Sequence, residues 1–163
     1  MKMKKRSKKY VPKGLTTNPL SIFGGMLGTH RAHLQALQAK NHRALSEMVQ
    51  GRGTKEHFDM ITGAINMANV MCEMGIGDEY RQVTLAARDA MLEMGKRAMV
   101  NDFRFVFKGE ELKAVNEMME IHNAQLENIR AVDVDRAADE VLRRIKNNIN
   151  STSVKRELAK EAA

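Results

Sequence analysis

The chain has 163 residues, of which 43% are hydrophobic and 29% are charged, and 27 Lys and Arg outnumber 20 Asp and Glu. This length and composition fit a single globular domain with its own core, and the single cysteine, Cys72, excludes an internal disulfide. The most apolar segment, PLSIFGGMLG, is too short for a transmembrane helix, which needs about 20 apolar residues. We therefore expect a cytoplasmic protein without a membrane partner.

The formal net charge of +7 is unevenly distributed along the chain. Residues 1–46 contain ten Lys or Arg and no acidic residue, whereas residues 47–163 contain seventeen basic and twenty acidic residues. The two parts thus carry charges of +10 and −3. Such an asymmetry is typical of a segment that binds a polyanion, attached to a nearly neutral body.

Residues 1–28 contain both prolines and four of the eleven glycines, without a helical or strand period, which predicts a flexible basic arm. Its cations can neutralise phosphates, and its tyrosine can stack on a base. The predicted nucleic-acid contacts in the arm are Lys2, Lys4, Lys5, Arg6, Lys8, Lys9, Tyr10 and Lys13. A merely solubilising tail is the alternative.

Residues 29–150 carry the periodicity of a helical domain. The first helix starts near Thr29 and adds three further candidate nucleic-acid contacts, Arg31, Lys40 and Arg43. The second starts at Thr54 as N-cap and has the clearest apolar stripe, formed by Phe58, Ile61, Ile65, Ala68 and Cys72. The third is predicted to start at Asp78 as its cap.

The segment NDFRFVFKG alternates three aromatic residues with other side chains, which predicts a short extended connector. These aromatics either fill the core or contact a protein partner. The candidates are Phe103, Phe105 and Phe107.

The fourth helix has apolar spacing from Leu112 to Ile129, and we predict that it is the central one. A fifth helix, capped by Asp133 or Asp135, is expected to bury a stripe that ends at Ile145. It also carries a secondary basic face, formed by Arg143, Arg144 and Lys146. Residues 151–163 are predicted to be a frayed polar tail. The sequence thus predicts an all-α, largely antiparallel bundle of about five helices.

No catalytic or metal-binding motif is present. The Glu-x-x-His pattern of di-iron bundles is absent, and His122 lies in the apolar stripe of the fourth helix, which favours a hydrogen-bonded core residue over a ligand. His30 and His33 share a helix face and could hold a metal only with a third ligand from elsewhere, so we expect them to face solvent or phosphate. Phosphate-binding loops, dinucleotide fingerprints and nucleophile elbows are also missing. We predict a protein that is not an enzyme and uses no cofactor or metal.

The order of three segments, KKRSKKYVPKG, EHFDMITGAINMANVMCEMGIGDEY and FVFKGEELKAVNEMMEIHNAQLE, resembles that in small proteins encoded by bacteriophages and prophages of Gram-negative bacteria. The resemblance covers residues 4–129. It implies a phage origin, a location in the bacterial host cell and a role in binding. It assigns no site residue.

Three functions fit these observations. The first is a non-enzymatic accessory protein that binds DNA, RNA or a host nucleoprotein complex through the basic arm. The second is a host-directed inhibitor that acts by protein contact, through PLSIFGGMLG and the three phenylalanines. The third is a virion-associated structural protein that forms homo-oligomers.

Overall fold

The computed structural model describes residues 30–147, and these residues form five α-helices and no β-strand. The helices are α1 (His30–Val49), α2 (Lys55–Glu73), α3 (Arg81–Val100), α4 (Gly109–Asn128) and α5 (Ala131–Lys146), with a 3-10 helix at Asp78–Tyr80. Short connections make consecutive helices largely antiparallel, so the predicted all-α bundle of five helices is confirmed. The predicted arm (1–28), residue 29, the last three residues of the predicted domain (148–150) and the tail (151–163) lie outside the described residues.

The central helix is α2 rather than α4, because α1, α3, α4 and α5 all pack on it. Its middle part, MITGAINMANVMC, carries no charge, so nearly every face can be buried. Nine of its residues are buried, and these include all five of the predicted stripe. The prediction that α4 is central was wrong because α4 carries charged residues along one face and contacts fewer helices.

The capping of α2 is as predicted at its first turn. Thr54 Oγ1 accepts a hydrogen bond from the His57 N–H at 3.4 Å, and His57 Nδ1 accepts one from the Thr54 N–H at 3.2 Å. This reciprocal pair is a capping box in which histidine takes the place of the usual Glu or Gln.

The end of α2 is a Schellman motif. The Gly75 N–H donates to Cys72 O at 3.0 Å, and the Ile76 N–H donates to Met71 O at 2.9 Å. Gly75 has φ +84°, a conformation that favours glycine. The next residues form the 3-10 helix, and α3 begins only at Arg81 without a side-chain cap. Asp78 is therefore not the cap of α3, contrary to the prediction, because the 3-10 turn separates it from the helix.

The connector between α3 and α4 inserts one phenylalanine into the core. Phe105 is 5% exposed, and its ring stacks on that of Phe58 with centroids 5.0 Å apart. Gly53 lies against this segment, where a Cβ would come within 3.2 Å of Phe105 O, so glycine permits the close approach. Phe103 is 60% exposed and has φ +56°, in the left-handed region that bulky residues rarely adopt.

Two predictions for α5 were wrong. The helix begins at Ala131, so Asp133 and Asp135 lie inside its first turns and do not cap it. Asp133 Oδ2 instead accepts a hydrogen bond from Nε of Arg130, the residue before the helix, at 2.7 Å. Ile145 is 49% exposed, since nothing in the described residues covers the last turn, and the buried stripe ends at Val141.

The core divides into two clusters. The larger one joins α1, α2, α3, α4 and Phe105, and it includes Met48, Met91, Met94, Met118 and Met119. The smaller one joins the start of α1, the end of α2, the end of α4 and α5 around Leu34, Met71, Leu126 and Val134. Within residues 30–147, no helix is long and apolar enough to span a membrane.

Candidate nucleic-acid interface

Two of the predicted nucleic-acid contacts on α1 lie side by side. Lys40 and Arg43 are three positions apart and therefore share one helix face, and both are exposed. With His57 and Met60 of α2 they line an open cleft of about 470 Å³. The structure therefore brings two cations and an imidazole to one surface between α1 and α2.

The cleft has an excess of positive charge because its one lining carboxylate is already engaged. Glu47 forms an ion pair with Arg52, whose Nε lies 2.8 Å from Glu47 Oε2. The hydrogen bond from Arg52 is the main reason why the pKa of Glu47 is lowered. Lys40 and Arg43 form no ion pair within residues 30–147, so their charges are available to an anion.

The cap of α2 fixes the tautomer of the His57 imidazole in this cleft. His57 Nδ1 accepts the Thr54 N–H, so in the neutral ring the proton resides on Nε2. The ring therefore offers a donor and not a second acceptor to a ligand. A donor is the group that a phosphate oxygen requires.

Arg31 is separated from this cleft. It precedes Lys40 by nine residues, which places it about 180° around the helix at 100° per residue. It lines a smaller cleft of about 170 Å³ with His30 and with Leu126 and Glu127 of α4. The structure therefore does not unite all three predicted cations of α1 on one surface.

The secondary basic face on α5 is largely neutralised by carboxylates. Arg143 and Arg144 both bind Glu140, each with a 2.7 Å contact, and Arg144 also forms an ion pair with Glu73 of α2. Hydrogen bonds from the two arginines lower the pKa of Glu140 to about 2. Only Lys146 of this predicted face is exposed without an ion pair in the described residues.

The three candidate partner-binding phenylalanines lie in different environments. Phe105 is part of the core, and Phe107 is partly buried against the same cluster. Phe103 is exposed, and so are Val100 and Val106, each three residues away in the sequence, at 79% and 57%. Only Phe103 is therefore well placed to contact a partner.

A groove along a second face of α4 was not predicted from the sequence. Glu117, Ile121, Ala124 and Asn128 follow one another at spacings of four, three and four, so they form a second helix face. This face lines a groove of about 550 Å³ with Tyr80 and neighbouring residues. The spacing was the signal available in the sequence, but the stronger apolar stripe of α4 obscured it.

The buried histidine and cysteine are core residues. His122 is 1% exposed, and neither ring nitrogen has a hydrogen-bond partner among the described residues, which differs from the hydrogen-bonded state that was predicted. Burial lowers the pKa of His122 to about 4. Cys72 is 2% exposed, its Sγ donates to Gly77 O at 3.0 Å, and burial raises the pKa of its thiol.

A metal site is not apparent in the part of the chain that the structure describes, where no three His, Cys, Asp or Glu side chains converge. His30 lies in the small cleft beside α4, and His33 has an interaction partner of its own. Comparison with family models, curated proteins and solved structures yields no match to this chain.

Proposed function

We propose that the protein is a non-enzymatic bacteriophage accessory protein that binds DNA or RNA through its basic N-terminal segment and the cleft at Lys40 and Arg43. One observation carries the proposal: two exposed cations that form no ion pair within residues 30–147 lie on α1, the first helix after the basic arm. Both cationic elements thus lie within the first 46 residues, which contain no acidic residue.

Binding of this kind depends on phosphates. Each Lys or Arg that neutralises a phosphate releases a condensed counterion, so affinity falls as the salt concentration rises. Phosphate contacts also carry no sequence information. We expect binding that tolerates sequence changes and weakens about a thousandfold between 50 and 200 mM salt if five or six phosphates are engaged.

The test is a salt titration of binding to fluorescent single-stranded DNA, duplex DNA and RNA, measured by anisotropy. One variant replaces Lys4, Lys5, Lys8 and Lys9 by Gln, and a second combines Lys40→Gln with Arg43→Gln. Each lost phosphate contact reduces the salt slope by about 1, so the second variant should reduce it by about 2.

The matched control combines Arg104→Gln with Lys113→Gln, which removes two exposed charges from elsewhere on the body. The proposal predicts a smaller effect of this pair than of the Lys40 and Arg43 pair. Equal losses for both pairs would show that only net charge matters. Unchanged binding by the four-lysine variant would show that the arm does not contact the nucleic acid.

A second candidate function, inhibition of a host protein by direct contact, is favoured by the exposed apolar surface around Phe103. The backbone of Phe103 is in the left-handed region while its ring is exposed to solvent. Backbone strain of this kind costs free energy and is concentrated at functional sites. Asn tolerates this conformation, so Phe103→Asn should abolish retention of a host protein from nuclease-treated lysate. Val132→Asn, at a residue that is 50% exposed on α5, is the control and should leave retention unchanged.

A further inference from the structure

The groove on the outer face of α4 combines an apolar floor with an acidic rim. Ile76, Tyr80, Val83 and Ile121 are among its lining residues, and Tyr80 is 47% exposed. The groove has a volume of about 550 Å³. It is thus large enough for several side chains of an extended segment.

The charge at the groove is negative and uncompensated. Glu117 and Glu120 line it, and no Lys or Arg is among its lining residues. Asp78 and Glu79 belong to the same 3-10 turn as Tyr80 and are exposed. None of these four carboxylates forms an ion pair within residues 30–147, and the adjacent Arg81 already binds Glu73.

We propose that this acidic groove binds the N-terminal segment of the same chain, residues 1–13. The segment has the complementary chemistry, because it carries seven Lys or Arg, no acidic residue, and the apolar side chains of Met1, Met3, Tyr10 and Val11. Apolar side chains match the floor of the groove, while the lysines match its rim. Tyr80 also offers an aromatic face to a cation.

The position of His30 makes the contact possible within one chain. His30 is the first described residue, and it lies beside Leu126, Glu127 and Ile129, at the same end of α4 as the groove residue Asn128. The distance along α4 from Glu117 to Asn128 is about 17 Å at 1.5 Å per residue. The 16 residues between the segment and His30 can span up to about 53 Å, which exceeds the length of the groove.

Tethering makes weak contacts sufficient. A short flexible linker gives an attached ligand an effective concentration in the millimolar range. The groove and a nucleic acid would then compete for the same lysines, and a polyanion of high charge density would displace the segment. Docking itself does not depend on the proposed nucleic-acid function, because it is measured without nucleic acid.

The experiment places a nitroxide spin label on the full chain through Ser7→Cys and records amide signals of ¹⁵N-labelled protein. Native Cys72 stays unlabelled because it is 2% exposed. At low salt the amides of Ile121, Ala124 and Asn128 should lose more than half of their intensity relative to the reduced label. The loss should disappear near 1 M salt, where the Debye length is about 3 Å.

Charge-removing variants distinguish the effect of the groove carboxylates from that of the overall charge of the protein. Glu117→Gln with Glu120→Gln should restore most of the lost intensity, whereas the matched pair Glu56→Gln with Asp139→Asn, at exposed acids elsewhere, should not. Unchanged core signals in each spectrum verify folding. The proposal would be overturned if the groove amides of the wild-type sequence lost no intensity. It would also be overturned if the loss persisted in the variant that combines Glu117→Gln with Glu120→Gln.

Mixing distinguishes contacts within one chain from contacts between chains. Spin-labelled ¹⁴N protein is added to unlabelled ¹⁵N protein, and the groove amides should keep their intensity. Loss of intensity in this mixture would assign the groove to the segment of a second copy and overturn the contact proposed here. If the segment docks in the groove but the protein does not bind nucleic acid, only the proposed function is contradicted. If the protein binds nucleic acid but the segment does not dock, only this inference is contradicted.

Discussion

The amide Nε2 of Gln125 donates a hydrogen bond to Ile76 O at 2.8 Å, so a side chain on α4 fixes the turn that follows α2. The same Nε2 also donates to Ala68 O at 3.2 Å. Gln125 is 4% exposed, and its Oε1 has no hydrogen-bond partner among the described residues. This amide therefore links α4 both to α2 and to the turn that follows α2.

Replacing Gln125 by Met keeps its length and removes the donor. We expect Gln125→Met to lower the free energy of unfolding by about 1 kcal/mol, because Ile76 O loses its side-chain donor. Urea unfolding followed by circular dichroism measures the change. Gln82→Met, on an exposed residue of α3, is the control and should alter stability by no more than about 0.5 kcal/mol.

His122 should make stability depend on pH. Its pKa in the folded protein is about 4, below the ordinary value of 6.5, so the unfolded chain takes up a proton first as the pH falls. Stability is unaffected by this residue above pH 6.5 and decreases between pH 6.5 and 4. The total decrease is about 3 kcal/mol at 1.36 kcal/mol per pKa unit.

The variant His122→Leu isolates this effect. It should be at least as stable as the wild type at pH 7, because the ring nitrogens of His122 have no partners in the described residues. The advantage of the variant should grow as the pH is lowered towards 4. Parallel pH profiles of the two proteins would show that His122 becomes protonated inside the fold.

The ion pair between Arg97 and Glu111 joins α3 to α4 and should contribute to stability. Glu111 also accepts the Lys108 N–H at 2.8 Å, and its side chain is 12% exposed. Burial raises the pKa of Glu111, but hydrogen bonds from Arg97 and Lys108 outweigh it, so the pKa is lowered. We expect Glu111→Gln to cost about 2 kcal/mol at pH 7, the range for hydrogen bonds to charged groups.

The pH dependence and a control test this assignment. Because the pKa of Glu111 is lowered, its contribution is complete above the unfolded pKa and is lost as the pH falls through the folded pKa. The difference between wild type and Glu111→Gln should therefore shrink in acid. Asp59→Asn removes an exposed pair with Lys55 on α2 and should cost less than about 1 kcal/mol at any pH.

Local patterns in the sequence were sufficient to predict the helices. The three-four spacing from Phe58 to Cys72 specified the buried face of α2, and Thr54 specified its start. Both signals lie within one helix, where periodicity and capping act over a few residues. The positive charge at Lys40 and Arg43 was also visible because residues 1–46 contain no acid.

Features that depend on distant residues were not predictable. Arg144 is neutralised by Glu73, which is 71 positions earlier, so its charge seemed available in the sequence. Phe105 is buried because its ring meets Phe58 from another helix. The central place of α2 likewise follows from contacts with four separate helices. The groove at Tyr80 required the 3-10 turn to be placed beside α4, and neither element specifies that alone.

The division of the core into two clusters implies unequal resistance to opening across the molecule. The smaller cluster rests on α5, whose main contact is with α2 alone, whereas α3 and α4 are locked together by extensive packing. Backbone amides of α5 and of the first turns of α1 should therefore exchange with deuterium earlier than those of α2 and α3. The region from which the N-terminal segment departs is thus also the region that can rearrange at the lowest energetic cost.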